Sequence, residues 1–153
     1  MSLEADIELL GQVPLFADLD QACLRSLAFS GVRRDLVAGE VLFNKGDPAR
    51  TGFLVSYGVI ELAVSPEKGS HRERCYRGYL IGEMPLFVDT KRPATARATN
   101  ASTVMEISRQ AMQRMLAEHP EAAKTLHARL SERLGGTMGD LQRVRQSLLA
   151  IDG

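Results

Sequence analysis

Hydrophobic positions change their period twice along the chain. In the first thirty residues Ile7, Leu10, Leu19, Cys23, Leu24 and Leu27 recur at three- and four-residue steps, the spacing of helices with one apolar face. Val13-Pro14-Leu15-Phe16 interrupts them; its proline breaks the helix and leaves an apolar hook to pack elsewhere. Asp18 with Gln21 predicts a capping box opening the second helix. From about Val32 to Ile107 short apolar runs are separated by Ala38-Gly39-Glu40, Lys45-Gly46-Asp47-Pro48, Ser56-Tyr57-Gly58, Glu67-Lys68-Gly69-Ser70 and Arg77-Gly78. That texture predicts many short antiparallel strands in a sandwich or barrel. Ile60, Leu62 and Val64 alternate with Glu61 and Ala63, and Thr103, Met105 and Ile107 share one face. Each pattern predicts a strand with a single buried face.

After Ser108, a predicted N-cap, helical spacing returns through Met112, Met115 and Leu116, and His119-Pro120 ends one helix and starts the next. The last segment carries Leu130, Leu134, Leu141, Val144, Leu148 and Ile151 at alternating three- and four-residue steps, if Thr137 takes one seam position. This short heptad seam predicts a homodimer through the C-terminal helix; the other reading is an amphipathic helix packed on its own domain. Gly135, Gly136 and Gly139 interrupt it at roughly 1 kcal/mol each relative to alanine, which points to a bend or a close approach there. The organisation is one domain: N-terminal helices over 1–31, a β body over 32–107 and C-terminal helices over 108–151.

Composition narrows the function. With 153 residues, 44% hydrophobic, one core suffices without disulfides or a structural metal. Nineteen basic against nineteen acidic side chains give no net charge, which argues against direct DNA binding by this chain. The absence of a long apolar run and of a signal-peptide pattern predicts a cytoplasmic protein that does not enter membranes. Cys23 and Cys75 lack CxxC spacing, so a cysteine-built metal site is disfavoured. Cys23 reads as core, Cys75 with His71 as structural, and His119 and His127 as isolated histidines with no second ligand at a useful spacing. No catalytic motif is present, so an enzyme is not expected, and no cofactor is required. The cluster Arg129, Arg133, Arg143 and Arg145, offset by Glu132 and Asp140, reads as a solvated face.

The stretch that carries chemistry is Gly78-Tyr79-Leu80-Ile81-Gly82-Glu83-Met84-Pro85-Leu86-Phe87, followed after four residues by Arg92-Pro93-Ala94-Thr95-Ala96. A Gly-Glu pair opening a short turn presents backbone N–H groups beside a carboxylate acceptor, and an arginine adds a charged planar fork for phosphate. A site for a sugar with a phosphate needs these parts. On spacing alone, a solvated turn with a surface ion pair is the commoner reading of the same residues.

These residues resemble the phosphate-binding cassette of cyclic nucleotide-binding domains, found in the bacterial catabolite activator protein family, cyclic-nucleotide-dependent kinases and gated channels. The likeness extends to Pro14-Leu15-Phe16, to Ala38-Gly39-Glu40-Val41-Leu42-Phe43, to Gly46-Asp47-Pro48-Ala49 and to Phe53-Leu54-Val55 before Gly58. It implies a mainly β fold with flanking α: an eight-stranded double-stranded β-helix, or jelly-roll, with helices at both ends and a long last helix across the pocket. It implies a cAMP or cGMP ligand: Glu83 on the ribose 2′-hydroxyl, Gly82 and Met84 lining the site through backbone, and Arg92 on the cyclic phosphate. Ala94 and Thr95 would flank that phosphate, and Thr137 would reach the base from the last helix.

Pro93 departs from the pattern, because it has no N–H to give the phosphate. Two readings follow. The domain is a cyclic nucleotide sensor signalling through its C-terminal helix, or a degenerate relative that serves as a dimerisation or protein-interaction module. In the transcription-factor branch a helix-turn-helix domain follows the last helix. The chain therefore reads as a stand-alone regulator of a partner protein or as a sensor lacking its output domain.

Overall fold

A computed structural model describes residues 2–64 and 72–134, with side chains through Glu132. Thr137, His71 and the heptad seam from Leu134 onward lie outside the described side chains.

Helix α1 (Leu3–Gln12) starts on Ser2, whose hydroxyl accepts the Ala5 N–H, and α2 spans Gln21–Ser30. Between them Pro14–Phe16 forms one 3-10 turn that buries Leu15 and Phe16 completely. This is the apolar hook read from the sequence. The predicted capping box does not form. Asp20 takes the N-cap position without a side-chain bond, and Asp18 instead receives Arg129 at 2.7–2.8 Å.

Ten strands follow among the described residues: β1 (Val32–Leu36), β2 (Val41–Phe43), β3 (Pro48–Ala49), β4 (Thr51–Tyr57), β5 (Ile60–Ala63), β6 (Arg72–Cys75), β7 (Leu80–Ile81), β8 (Thr90–Lys91), β9 (Thr95–Ala98) and β10 (Ser102–Ser108). Eight of them form two four-stranded antiparallel sheets, ordered β1-β10-β4-β7 and β2-β9-β5-β6, and β3 pairs with β8 in a separate ribbon. This is the jelly-roll with flanking helices. Gly39, Gly46, Gly58 and Gly78 all adopt positive φ at the predicted turns, a region open to glycine at little cost.

Helix α3 (Arg109–Glu118) opens on Ser108, whose hydroxyl accepts the Ala111 N–H at 3.0 Å, and α4 (Ala122–Leu134) begins just past His119-Pro120. The helices pack on the outer face of the first sheet. One core joins them to Leu54, Met105 and Ile107; a second core, between the sheets, holds Phe43, Phe53, Val55, Ile60, Ala96, Ala98 and Val104. The prediction of one buried face for β10 is therefore corrected. Met105 and Ile107 face the helices while Val104 faces the opposite sheet, since a central strand in a three-layer fold has no solvent side. β5 departs from its predicted alternation too. Ile60 is buried, Leu62 is half-buried, and Val64, just past the strand end, is exposed.

Candidate functional site

At one end of the space between the sheets lies a cavity of about 380 Å³, within the size range of small-molecule sites. Its wall combines Phe43 and Leu62, the turn from Ile81 to Pro85, and the run Thr90 to Ala94. The strands explain why these residues meet. β7 ends at Ile81, paired with Phe53 of β4, and the chain then turns at Gly82 into the 3-10 turn Met84–Leu86. β9 enters the opposite sheet, with Ala94 and Ala96 facing inward. Ala94 presents only a methyl group to the cavity, which leaves the space beside it open.

Arg92 dominates the floor. It is 6% exposed, and burial pushes its guanidinium pKa down, opposed by the charges of Glu106 and Asp47. It stays charged at any pH the fold survives. A buried cation must be solvated by the protein, and three groups do this. Nη2 donates to the Thr51 carbonyl and hydroxyl, and Cζ sits 4.3 Å from the Phe43 ring centroid and 5.3 Å from that of Phe53. Its backbone is fixed as well, by an N–H to the Asp47 carbonyl and a carbonyl accepting the Gly46 N–H.

Gly82 is required by this arrangement. Its φ is +88°, and a Cβ there would meet Arg92 Nη1 at 2.7 Å. The arginine fork thus lies against the cassette turn, one nitrogen toward Thr51 and the other toward Gly82. Glu83 holds the N-cap position of the 3-10 turn, half-exposed on the cavity wall. Among the wall residues, Lys91 and Arg92 against Glu83 leave one net positive charge, matched to a singly charged anion.

The fold thus gathers Gly82, Glu83, Met84, Arg92 and Ala94 around one cavity. Thr95 stands elsewhere. Strand alternation turns it to the opposite face of β9, where its hydroxyl accepts the Lys45 N–H at 2.9 Å and it lines a different depression with Arg72 and Arg97. Pro93 lines the cavity.

Sequence reasoning missed three residues that build the site. Thr51 and Phe43 hold Arg92. Arg109, in the first turn of α3, donates to the carbonyls of Pro85 and Val88 at 3.0 and 2.7 Å and to Asp89 at 2.6 Å, so it staples the cassette turn to the helical layer. Phe43 ends the Ala38-Gly39-Glu40-Val41-Leu42-Phe43 stretch, but nothing local ties it to Arg92, and no local motif marks Thr51 or Arg109. Their partners are distant in sequence and become visible only when β4 and β10 pair, which sets Thr51 opposite Ser108.

Comparison with known proteins decides the family. Residues 33–119, more than half of the chain, match the family model described as "Cyclic nucleotide-binding domain". The chain belongs to the cyclic nucleotide-binding domain family. Among its relatives, the HTH-type transcriptional regulator Cmr of Mycobacterium tuberculosis is 30% identical over 81% of this chain and 50% of its own length. The cyclic nucleotide-gated potassium channel of Rhizobium etli is 29% identical over 84% of this chain and 35% of its own. The N-terminal domain of a transcriptional regulator from Streptomyces coelicolor A3(2) superposes with a TM-score of 0.75 at 30% identity, covering 82% of this chain and 91% of that one. The chain spans half or less of these two curated relatives, which are a regulator and a gated channel. No helix among the described residues is long and apolar enough to cross a membrane.

Proposed function

We propose that this domain senses cAMP or cGMP in the Arg92 cavity and passes the signal to its C-terminal helix. The observation that carries the reading is the arginine fork held against Gly82, with Glu83 on the same cavity wall. In this reading the cyclic phosphate takes the charged hydrogen bonds of Arg92 and the backbone N–H groups at the start of the 3-10 turn. Glu83 accepts the ribose 2′-hydroxyl, Gly82 and Met84 line the sugar, and Ala94 leaves room for the phosphate. Thr95, its hydroxyl engaged by Lys45, contributes only as the next backbone unit. Thr137, outside the described residues, is the residue that the family resemblance assigns to the base.

The signal route runs through one corner. Thr51, which holds Arg92, pairs with Ser108, which caps α3; the next residue, Arg109, holds the carbonyls of the cassette turn. A ligand that draws Arg92 or the cassette toward itself loads the base of α3, and α4 follows across His119-Pro120.

Titration calorimetry and thermal shift with cAMP and cGMP test the reading. A ligand that binds only the folded state raises the midpoint by degrees at saturation, and Arg92→Ala and Glu83→Ala should each remove most of the shift. Binding retained in both variants would place the ligand elsewhere. A flat titration at millimolar nucleotide would favour the second reading, a nucleotide-free dimerisation or interaction module. Pro93, which brings no N–H to the cavity wall, is the observation on its side.

A further inference from the structure

Away from the cavity, three helices meet at a corner built of metal-binding atoms. Cys23 of α2, His119 at the end of α3 and Glu121 at the turn into α4 place a thiol, an imidazole and a carboxylate within 4.8 Å of one another. This corrects the expectation that His119 has no second ligand. Its partners come from a neighbouring turn and from a helix far back in the chain, where spacing rules cannot see them.

The set is chemically coherent. Thiolate, imidazole and carboxylate are the three donor types of zinc sites, and a site with three protein ligands leaves a fourth position for water. A thiolate and a carboxylate together neutralise a divalent cation.

Geometry is close to what binding needs. Tetrahedral zinc, with bonds of about 2.0–2.3 Å, sets its ligand atoms about 3.4–3.6 Å apart. His119 Nδ1 and Glu121 Oε1 are already 3.7 Å apart. The other gaps are at most 4.8 Å, and closing them by about 1 Å takes side-chain rotation of Cys23 and His119 as well as of the exposed Glu121. The two downstream ligands are pre-positioned, since the His119 N–H bonds the Met115 carbonyl at 2.8 Å and its carbonyl accepts the Ala122 N–H at 3.0 Å. Pro120 between them fixes its own φ. Cys23 is 1% exposed within its helix, while the side chains of His119 and Glu121 are 25% and 63% exposed, which gives an ion a path in.

We propose that Cys23, His119 and Glu121 form a site for a zinc-class divalent cation with an open water position, linking α2 to the α3–α4 corner. Binding transfers the Cys23 thiol proton to solvent and leaves the cation held by thiolate, neutral imidazole and carboxylate. It ties down the point from which α4 departs, independently of whether the cavity binds a nucleotide.

The test uses the full chain, stripped with chelator and titrated with Co²⁺ as the optical probe. The site should give a one-to-one thiolate-to-cobalt charge-transfer band that Zn²⁺ displaces, and Zn²⁺ should raise the thermal midpoint by several degrees. Cys23→Ser should abolish the band. Glu121→Gln, at an exposed position that leaves the fold intact, should weaken Zn²⁺ binding at least tenfold. No band at millimolar Co²⁺, or a band that survives Cys23→Ser, would overturn the proposal. So would an unchanged affinity in Glu121→Gln.

Discussion

Thr51 accepts two hydrogen bonds from one nitrogen of Arg92, through its carbonyl at 2.9 Å and its hydroxyl at 3.1 Å. This fixes the rotation of the guanidinium, so that Nη1 faces Gly82 and the cassette turn. Thr51→Val removes the hydroxyl and keeps the shape, leaving the fork held at one point. Nucleotide affinity should fall about fivefold, equivalent to about 1 kcal/mol. Calorimetry with an unchanged dissociation constant would show that Phe43 and the carbonyl suffice to aim the fork.

Pro93→Ser restores a backbone N–H and adds a hydroxyl beside Arg92. One regained hydrogen bond to a charged phosphate is worth roughly 1.5 to 3 kcal/mol, so binding should tighten about ten- to a hundredfold. A constant or weaker affinity by calorimetry would mean that the missing donor does not limit the complex.

Arg109→Ala removes the donors that satisfy the Pro85 and Val88 carbonyls. Unpaired carbonyls in a half-buried turn cost about 1–3 kcal/mol, whereas the ion pair to exposed Asp89 adds little. Stability in urea should drop by about 2 kcal/mol. Amide exchange over residues 84–89 should quicken more than in the sheets, and uniform acceleration would assign Arg109 a purely global role.

Cys75 is sealed in the core between the sheets, and burial, with a smaller contribution from Glu73, pushes its thiol pKa up to about 12. The folded state therefore keeps this proton after the unfolded chain has released it near pH 9. The stability this group confers is complete below pH 9 and is lost as pH rises toward 12, at up to about 1.4 kcal/mol per pH unit. Cys75→Ala should flatten the fall in stability between pH 9 and 11 relative to the parent. Identical slopes would mean that other groups carry the alkaline transition.

Much of the architecture could be read from the sequence where local rules suffice. Ser108 caps α3, Pro14–Phe16 forms the apolar hook, and glycines close the predicted turns. Asp18 misled because its long-range partner, Arg129, outweighed a local cap. Alternation along β10 suggested one buried face because periodicity cannot distinguish a surface strand from one covered on both sides. At the site, the cassette motif located Gly82, Glu83 and Arg92, but strand parity sent Thr95 to the far face. Thr51 and Arg109 were invisible, because they act on residues 41 and 24 positions away.

β4 and β10 share a wall between the two cores, and both of its faces carry buried apolar residues. Leu54 belongs to the helical side, and Phe53 and Val55 to the sheet side. A slip of one residue along β10 would carry Glu106, which shares the Val104 face and lies 3.8 Å from Arg34, toward the helical core, so a single charged position opposes mispairing where a half-solvated sheet uses every second residue. Irregularities mark the register as well: the shift between Thr103 and Val104, and Gly52, where a side chain would press on the Gly82 carbonyl at 3.0 Å. The close approach of Gly52 to the Gly82 carbonyl thus ties the register of this wall to the position of the cassette turn, so a side chain at residue 52 would disturb the cavity from the far side of the sheet.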